Sequence, residues 1–406
     1  MSKLSSIILL MVLGSTLAYK SYSGYQVLKT APLTSASMPY INRLSKHFDF
    51  WGTPGVGRPA TVMVSPEQAP LVVAAFNRMR ISHEVLIPDL GPEVEREHGE
   101  RKATEEANPR VAVYDRYMGC SEIQMHIAQL ALTYPDIATE LVLTNTPEGR
   151  KVKVLKLSNG NAGQKALWFD CAMHAREWIT PPVCLRIIDE VIADPALRDM
   201  ADWYIAPLAN PDGYNYTINT DRFWRKTRSP NPDPNCPGID PNRNFDFLWD
   251  AGNPTDYCSE VYPGTNAFSA PEVAAIGNFI LDNADSLVLY VAIHSYGEQI
   301  LYPYGHTVEP VPNVDQLIAA GTASADAIAA VAGTTYTVEN SAAGLYFTYG
   351  ASDDFAYGRG AVQYAYTYEL SGGGSAGFDP PASLIQPVVD EVWPGIKALV
   401  DYVLAN

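Results

Sequence analysis

The first ninety residues alternate short apolar runs with amphipathic segments. Met38, Ile41 and Leu44 have helical spacing, and Ser-Pro-Glu at residues 65–67 is typical of a helix start. Strand-like runs are found at residues 25–29, 60–64 and 83–87. The pattern predicts a small α/β open sandwich, and it contains no recognisable cluster of chemically reactive side chains.

Residues 93–110 differ in character, because charged side chains dominate and no apolar face can be drawn. Such a stretch is typical of a solvated helix that ends in a flexible linker. It contains Arg101, Lys102 and Arg110, which we expect to be exposed to a trypsin-like protease. Considered without the rest of the chain, an ordinary charged linker is the simpler interpretation.

From residue 111 onward, strand-like and helix-like segments alternate. Residues 287–293 form a near-continuous apolar run, which is typical of a central strand covered on both faces. Other strands are predicted at 138–143, 151–157, 167–169, 203–206 and 363–368, and helices at 123–133, 179–193, 314–331 and 382–404. The alternation predicts an α/β domain with a mixed, twisted sheet flanked by helices.

Reactive side chains follow three of these strands. His174 comes after the strand at 167–169 and Glu177 follows on the same turn, so that an imidazole and a carboxylate can bind one cation. His294 ends the central apolar run, and Glu369 ends the last strand, where it would be partly desolvated and able to act as a base. Ligands gather at such strand ends. Taken singly, each histidine could instead be a core residue, and the His174–Glu177 pair an exposed turn.

Composition and charge exclude some classes of partner. The chain has 406 residues and a net charge of -17, which argues against nucleic acid and against an anionic membrane surface. Residues 1–18 carry one lysine, an apolar core from Ile7 to Val12 and small residues before Tyr19, which is the pattern of a secretory signal. Later segments are too short to be membrane helices. We therefore expect a soluble, secreted and monomeric protein.

Basic and aromatic residues are mixed at 221–228, shortly before Asn242 and Arg243. In a chain this acidic we expect these groups to face an anion, although a solvated surface is the alternative. The Asn242–Arg243 pair offers the fork that is needed to hold a carboxylate.

Cysteine usage agrees with export. An exported chain is expected to form disulfides, and an odd number of cysteines leaves one thiol unpaired. Asn215-Tyr-Thr217 matches the pattern of an N-glycosylation acceptor, with its occupancy left open. The five cysteines are Cys120, Cys171, Cys184, Cys236 and Cys258.

Five motifs carry a resemblance to a known family. They are His174-Ala-Arg-Glu177, Trp224-Arg-Lys-Thr-Arg228, Pro241-Asn-Arg-Asn244, His294-Ser-Tyr296 and Tyr368-Glu369. In this order and spacing the chain resembles the zinc metallocarboxypeptidases of the pancreatic carboxypeptidase A and B type, most closely a procarboxypeptidase B. The resemblance covers nearly the whole chain. It implies a pro-segment at 19–110, globular at about 24–90 with a charged connection at about 91–110, and a catalytic domain of the zinc carboxypeptidase fold at 111–406.

The resemblance implies a role for each residue of the catalytic centre. His174, Glu177 and His294 would hold one Zn²⁺ and leave a position open for water, like the two-histidine, one-glutamate site of carboxypeptidase A. Glu369 would take a proton from that water and pass it to the leaving amine. The zinc and Arg225 would stabilise the oxyanion of the tetrahedral intermediate.

Substrate contacts are implied in the same way. Arg243 with Asn242 would grip the terminal carboxylate of a peptide or protein substrate, and Tyr346 would close over it. Only the final peptide bond would be cleaved, because an internal peptide leaves the buried guanidinium unpaired. The resemblance also assigns neighbouring substrate contacts, to Arg176, Tyr296 and Phe378.

Specificity would depend on Asp353, which the resemblance assigns to the base of the pocket for the last side chain. An aspartate there marks the B type, which prefers Lys or Arg, and an apolar residue marks the A type. Asp353 could instead serve a local turn. Ser341, Tyr349 and Ala351 depart from the usual B-type residues and could narrow the pocket, so an A-type preference for aromatic or aliphatic ends is the alternative.

Cysteine pairing and activation are also implied by the resemblance. It pairs Cys171 with Cys184 and Cys236 with Cys258, and leaves Cys120 as the free thiol. The pro-segment would cover the cleft until a trypsin-like protease cuts after Arg101, Lys102 or Arg110, between which the sequence does not choose. A rival from another class is an inactive peptide-binding relative, which should have lost a zinc ligand or the base; all of them are present here.

Overall fold

The computed structural model describes residues 19–51, 54–107, 113–161, 163–373 and 377–406. The predicted signal at 1–18, the domain boundary at 110/111 and Arg110 lie outside these ranges. Over the described ranges, no helix combines the length and the apolarity that crossing a bilayer requires.

The N-terminal body is an antiparallel sheet with helices on one face. Its elements are β1 (Gln26–Thr30), α1 (Met38–Leu44), β2 (Asp49–Trp51), β3 (Thr61–Val64), α2 (Ala69–Arg78), β4 (His83–Ile87) and α3 (Gly91–Ala107). The strand order is β2-β3-β1-β4, and Leu28 and Val62 pack beneath Ile41 of α1 and Phe76 of α2. The predicted α/β open sandwich is therefore confirmed.

The opposite face of this sheet lies against the larger domain. Side chains alternate along each strand, so Val27 and Met63 point away from α1 and α2. They join a cluster that includes Trp51 of β2 and also Phe223 and Phe378 of the larger domain. The N-terminal body therefore packs on the larger domain through an apolar face.

Helix α3 agrees with the predicted helix up to Ala107, and the predicted linker after it lies outside the described residues. Arg101 departs from the prediction, because it is only 9% exposed, with its Nη1 donating to Glu105 at 2.9 Å. The expectation that Arg101 is exposed was wrong, because the helix lies on the larger domain through Val94 and Arg101. Lys102 is exposed as expected.

The larger domain contains an eight-stranded sheet within the described residues. Its elements are α4 (Cys120–Thr133), β5 (Ala138–Asn145), β6 (Lys151–Leu157), β7 (Ala166–Cys171), α5 (Thr180–Ala193), α6 (Pro195–Met200), β8 (Asp202–Ala206), α7 (Pro211–Asn219), α8 (Pro271–Asp282), β9 (Leu287–Ser295), β10 (Gln299–Tyr302), α9 (Val314–Ala332), β11 (Thr337–Asn340), α10 (Ser341–Gly344), α11 (Ser352–Gly358), β12 (Tyr364–Leu370) and α12 (Ile385–Ala405). The order is β11-β10-β12-β9-β7-β8-β6-β5.

The middle of this sheet is parallel and buried on both faces. Strands β12, β9, β7 and β8 run parallel, whereas β10, β6 and β5 pair antiparallel to a neighbour. One face packs on α4, α5, α9 and α12, and the other on α8 and α11. The predicted mixed sheet flanked by helices is confirmed, and the carboxyl ends of β7, β9 and β12 meet at one edge.

Candidate metal and catalytic site

Three side chains from two strand ends converge below the cleft. His174 and Glu177 lie on the turn after β7, and His294 lies near the end of β9. His174 Nδ1 is 2.8 Å from Glu177 Oε1, and His294 Nδ1 is 3.0 Å both from Glu177 Oε2 and from His174 Nδ1. All three side chains are buried. Two imidazole nitrogens and a carboxylate are therefore directed at one point.

The chemistry of this donor set fits Zn²⁺. Two nitrogens and one carboxylate are a ligand set of catalytic zinc sites, which keep a further position open. Burial lowers the pKa of His174, which favours the neutral imidazole that a metal requires. Burial opposes ionisation of Glu177, but His174 and His294 outweigh it and hold the pKa of Glu177 below its ordinary value.

Asp240 connects this cluster to Arg225. Its Oδ1 lies 3.1 Å from His174 Nε2, while its Oδ2 accepts from Arg225 Nε and Nη2 at 3.2 and 3.0 Å. A carboxylate that accepts from Nε2 directs the lone pair of Nδ1 at the metal position. Asp240 was not predicted from the sequence, although its place directly before Pro241 is typical of a cap, and it does accept from Asn242 N at 3.0 Å.

Glu369 lies beside the ligand cluster, on the neighbouring strand. In the β12–β9 register Glu369 pairs with His294, so both side chains reach the same edge of the sheet. Glu369 lines the cleft together with His174 and Arg225. Burial raises the pKa of Glu369 to about 7, which is suited to proton transfer near neutral pH.

Arg243 and Asn242 form the next part of the cleft wall. Arg243 Nη2 donates to the Tyr346 hydroxyl at 2.8 Å, and its Nη1 donates to the backbone oxygen of Asn242 at 2.6 Å. Asn242 Oδ1 accepts from Ser352 N at 2.8 Å, which fixes the amide orientation. The predicted fork and Tyr346 are thus brought together.

Asp353 lies in the first turn of α11 and is 3% exposed. Its Oδ2 accepts from Ser341 Oγ at 3.1 Å, and it lines the same cleft as the ligand cluster. Burial, with Asp354 adding to it, raises the pKa of Asp353 to about 6. Asp354 has a separate structural role, because it accepts from Gly305 N at 2.7 Å and lies 3.2 Å from His306.

The three residues expected to narrow this pocket are not equivalent. Ser341 and Ala351 line the cleft. Tyr349 instead packs beside Gly252, whose Cα approaches it so closely that an added Cβ would lie 2.7 Å from the ring. The described lining of the cleft includes Ser341 and Ala351 but not Tyr349, so the expectation that Tyr349 narrows the pocket is wrong.

The outer wall of the cleft is in contact with the N-terminal body. Arg176 Nη1 donates to both carboxylate oxygens of Asp49 in β2, each at 2.9 Å. The Arg176 guanidinium lies 4.5 Å from the centre of the Phe378 ring, against which Tyr296 and Trp51 also pack. Of the three residues predicted to contact neighbouring substrate positions, Arg176 and Phe378 are therefore covered by β2, and Tyr296 packs beside Phe378.

A second ion pair joins α3 to this wall. Arg222, which is fully buried and stacks on Trp178, donates to both oxygens of Glu97 at 2.5 and 3.1 Å. The Nη2 atom of Arg222, which contacts Glu97 Oε1, also donates to the backbone oxygen of Phe378 at 2.6 Å. The basic stretch at 221–228 thus does face anions, which are carboxylates of the chain itself: Glu97 for Arg222, Asp240 for Arg225 and Glu148 for Arg228.

The cysteines pair as the resemblance implied. Disulfides join Cys171 to Cys184 and Cys236 to Cys258, and the thiol of Cys120 is free and buried. The first disulfide ties the end of β7 to α5 and so restrains the turn that carries the metal ligands. Asn215 lies in α7 and is partly exposed.

Comparisons with known proteins agree with this geometry. Residues 123–395 match the family model "Zinc carboxypeptidase", and residues 28–97 match "Carboxypeptidase activation peptide". Carboxypeptidase B of Helicoverpa zea is 33% identical over 401 residues, with 93% of each chain covered. Carboxypeptidase A1 of Homo sapiens is 31% identical over 413 residues, with 98% of each chain covered. The crystal structure of carboxypeptidase A from Helicoverpa armigera has a TM-score of 0.89 at 29% identity, covering 95% of this chain and 98% of that one.

Proposed function

The chain belongs to the zinc carboxypeptidase family and carries that family's activation peptide, and from this premise we propose that it removes C-terminal lysine or arginine from peptides. The observation that carries the proposal is the buried carboxylate of Asp353 in the cleft that contains the ligand cluster. Relatives of both the A and the B type match the chain, so the residues of the pocket have to decide between them.

His174, Glu177 and His294 would hold a single zinc ion. When bound, this ion supplies a Lewis acid that polarises the scissile carbonyl and lowers the pKa of water. The chain's own contribution begins with Asp240, which orients His174 through Nε2.

Glu369 acts as the general base and then as the general acid. Its carboxylate takes a proton from the attacking water and returns that proton to the leaving amine, and a pKa of about 7 suits both transfers. Arg225 donates to the oxyanion of the tetrahedral intermediate. Asp240 holds the Arg225 guanidinium in place, so little reorganisation is needed during the reaction.

Arg243, Asn242 and Tyr346 restrict cleavage to the chain end. Arg243 forms a charge-assisted pair with the terminal carboxylate of the substrate. Tyr346, whose hydroxyl accepts from Arg243 at 2.8 Å, closes over that carboxylate. A substrate without a free carboxylate at this position leaves the buried Arg243 unpaired, which is costly. The enzyme is therefore an exopeptidase.

Asp353 selects the last side chain. An ammonium or guanidinium group would pair with its carboxylate, whereas an apolar side chain would leave that carboxylate buried without a counter-ion. The A-type alternative is favoured by one observation, the hydrogen bond from Ser341, which partly satisfies Asp353 without a substrate.

The protein is secreted as a monomeric zymogen and is activated by a trypsin-like protease. The signal pattern at 1–18 and the two disulfides support export. Arg176, Tyr296 and Phe378 contact the substrate only after the pro-domain leaves. Cleavage after Arg101 requires α3 to detach around that residue, since Arg101 is buried, while Lys102 is exposed and Arg110 lies outside the described residues.

An assay of the trypsin-activated protein on matched peptides ending in Arg, Phe or Leu, with kcat/KM as the readout, tests this proposal. We expect the highest kcat/KM with the Arg peptide, loss of activity with a zinc chelator and recovery with added Zn²⁺. A preference for Phe would reject the role of Asp353 and support the A-type alternative. Activity that survives exhaustive chelation would reject the metal mechanism.

A further inference from the structure

A group of polar side chains lies under the ligand cluster, on the α8 side of the sheet. Asp170 of β7 pairs with Ala292 of β9, and His294 lies two residues further along β9. Side chains two residues apart share a face, so Asp170 and His294 are diagonal neighbours on one face of the sheet. Tyr290 and Trp168 share that face.

Only one oxygen of Asp170 has a partner in the described part of the chain. Oδ2 accepts from Trp168 Nε1 at 2.7 Å and from the Tyr290 hydroxyl at 2.8 Å. Oδ1 is buried and accepts from none of the described groups. Burial raises the pKa of Asp170 to about 6, while Trp168, Tyr290 and the nearby His294 oppose the shift.

Two further buried atoms in the same region share this property. His294 Nε2 and Ser352 Oγ also find no hydrogen-bond partner among the described residues. Ser352 lies next to the Tyr290 hydroxyl. Burial and Asp170 raise the pKa of Tyr290, and Ser352 opposes this rise. Asp170 and Ser352 therefore both lie at the Tyr290 hydroxyl, and Asp170 is close enough to His294 for their charges to interact.

Buried polar atoms in folded proteins are almost always hydrogen-bonded, and a buried water with about three partners is the usual solution where protein partners are lacking. Here the set contains an imidazole nitrogen, a carboxylate oxygen and a hydroxyl, which together provide donors and acceptors for one water. The other ligand histidine needs no such water, because His174 Nε2 contacts Asp240 directly at 3.1 Å.

We infer that Asp170 is a positioning residue for His294, acting through a buried water that it shares with Ser352. The water accepts from Nε2–H of His294 and donates to Asp170 Oδ1, which keeps the lone pair of His294 Nδ1 directed at the metal. The inference rests on the proposed zinc site and assigns the second histidine an anchor that matches Asp240 in function.

Asp170→Asn in the full chain tests this inference. The hydrogen bonds from Trp168 and Tyr290 require an oxygen, so the new amide must direct its NH₂ group at the water, where an acceptor was needed. We expect the zinc dissociation constant, measured by chelator competition, to rise by about 10- to 100-fold. Ser352→Ala should shift it in the same direction by a smaller factor, since one of three partners is removed.

A second readout separates positioning from loss of structure. In ¹⁵N-histidine-labelled protein, the Nε2–H resonance of His294 should move in Asp170→Asn, while that of His174 should stay in place. Glu272→Gln is the matched control, because Glu272 is a buried carboxyl on α8 whose oxygens also find no partner in the described ranges and whose pKa burial raises to about 7. It should leave the zinc dissociation constant and both resonances unchanged.

The outcomes distinguish this inference from the proposed function. If the unaltered protein fails to bind zinc, both the proposed function and this inference are wrong. If it binds zinc and Asp170→Asn has the same dissociation constant and the same His294 resonance, the inference alone is overturned. Should Asp170→Asn fail to fold, Ser352→Ala decides, and a zinc dissociation constant equal to that of the unaltered protein overturns the inference.

Discussion

The floor of the cleft consists of the ligand cluster with Arg225, Glu369 and Asp353, and its outer wall contains Arg176, Arg222 and Phe378. The arginines of these two regions pair with carboxylates from different domains. On the floor, His174 and Arg225 both contact Asp240, which belongs to the same domain. On the outer wall, Arg176 and Arg222 contact Asp49 and Glu97, which belong to the pro-domain. The floor is therefore complete without the pro-domain, and the wall is not.

This difference indicates how the zymogen is kept inactive. A pro-domain that leaves the Asp240 contacts intact does not need to distort the catalytic groups, and it acts by covering them. Its departure changes the wall most, since two buried guanidinium groups lose their carboxylate partners. We expect changes on the floor to affect chemistry, and changes on the wall to affect release of the pro-domain.

Glu369→Gln should give the largest effect and should confine it to the floor. The amide cannot accept a proton, so we expect kcat of the activated enzyme to fall by at least about 10²–10⁴-fold. Zinc content and pro-domain docking should stay unchanged, as measured by metal analysis and by the rate of tryptic activation. Normal turnover in this variant would remove Glu369 from its role as the base.

Asp353→Ala tests the pocket that receives the last side chain of the substrate. Loss of a buried ion pair costs about 2–5 kcal/mol, so we expect kcat/KM for an Arg peptide to fall by roughly 30-fold or more, with little loss for a Phe peptide. The pKa of Asp353 lies near 6, so its charge is present above pH 6 and is lost as the pH falls through that value. The ratio of Arg to Phe activity should therefore decline below pH 6 in the unaltered enzyme. A ratio that is flat with pH and equal in both proteins would contradict the role of Asp353.

Asp49→Asn and Glu97→Gln test the wall. Each removes the charge opposite a buried arginine while keeping its shape, so we expect the cleaved pro-domain to dissociate about 10- to 100-fold more readily, or roughly 1.4–2.8 kcal/mol. Glu84→Gln, at an exposed position of β4, is the matched control. Activity of the fully separated enzyme should be the same in all of them. Equal affinity in the three variants would mean that the apolar face of the pro-domain sheet is sufficient for docking.

The sequence alone could predict the floor well, because its residues follow recognisable strands. The apolar runs before His174, His294 and Glu369 mark strand ends, and parallel strands bring their carboxyl ends to one edge. The helix α8 could also have been predicted, since Val273, Ile276 and Ile280 have helical spacing after a proline, but it was not identified.

The wall could not be predicted in this way, because it depends on contacts between distant segments. Nothing local indicates that Glu97 meets Arg222, 125 positions away, or that Arg101 becomes buried when α3 packs on the larger domain. Strand β2, which carries Asp49, has only three residues, too few for an alternating pattern. Asp240 was missed for a related reason: its partner His174 is 66 residues away.

The smallest expected effect is a pH dependence of the affinity between the pro-domain and the outer wall of the cleft. Glu260 lines the cleft, and its Oε2 is buried without a partner in the described chain. Burial, and next Asp49, raise the pKa of Glu260 to about 7 in the zymogen, whereas Arg176 opposes the shift. Departure of the pro-domain removes Asp49 and opens the site to water, which lowers that pKa, so docking takes up a proton.

Docking should therefore tighten as the pH falls through about 7 and weaken as it rises, by at most about tenfold per pH unit. Activity regained on diluting the cleaved, still associated protein at pH 6, 7 and 8 measures this slope. Glu260→Gln should flatten the slope, because its amide does not titrate, and a slope that persists in that variant would assign the proton to another group. A flat profile in the unaltered protein would mean that the wall exchanges no proton on docking, and the two regions would then differ only in where their partners come from.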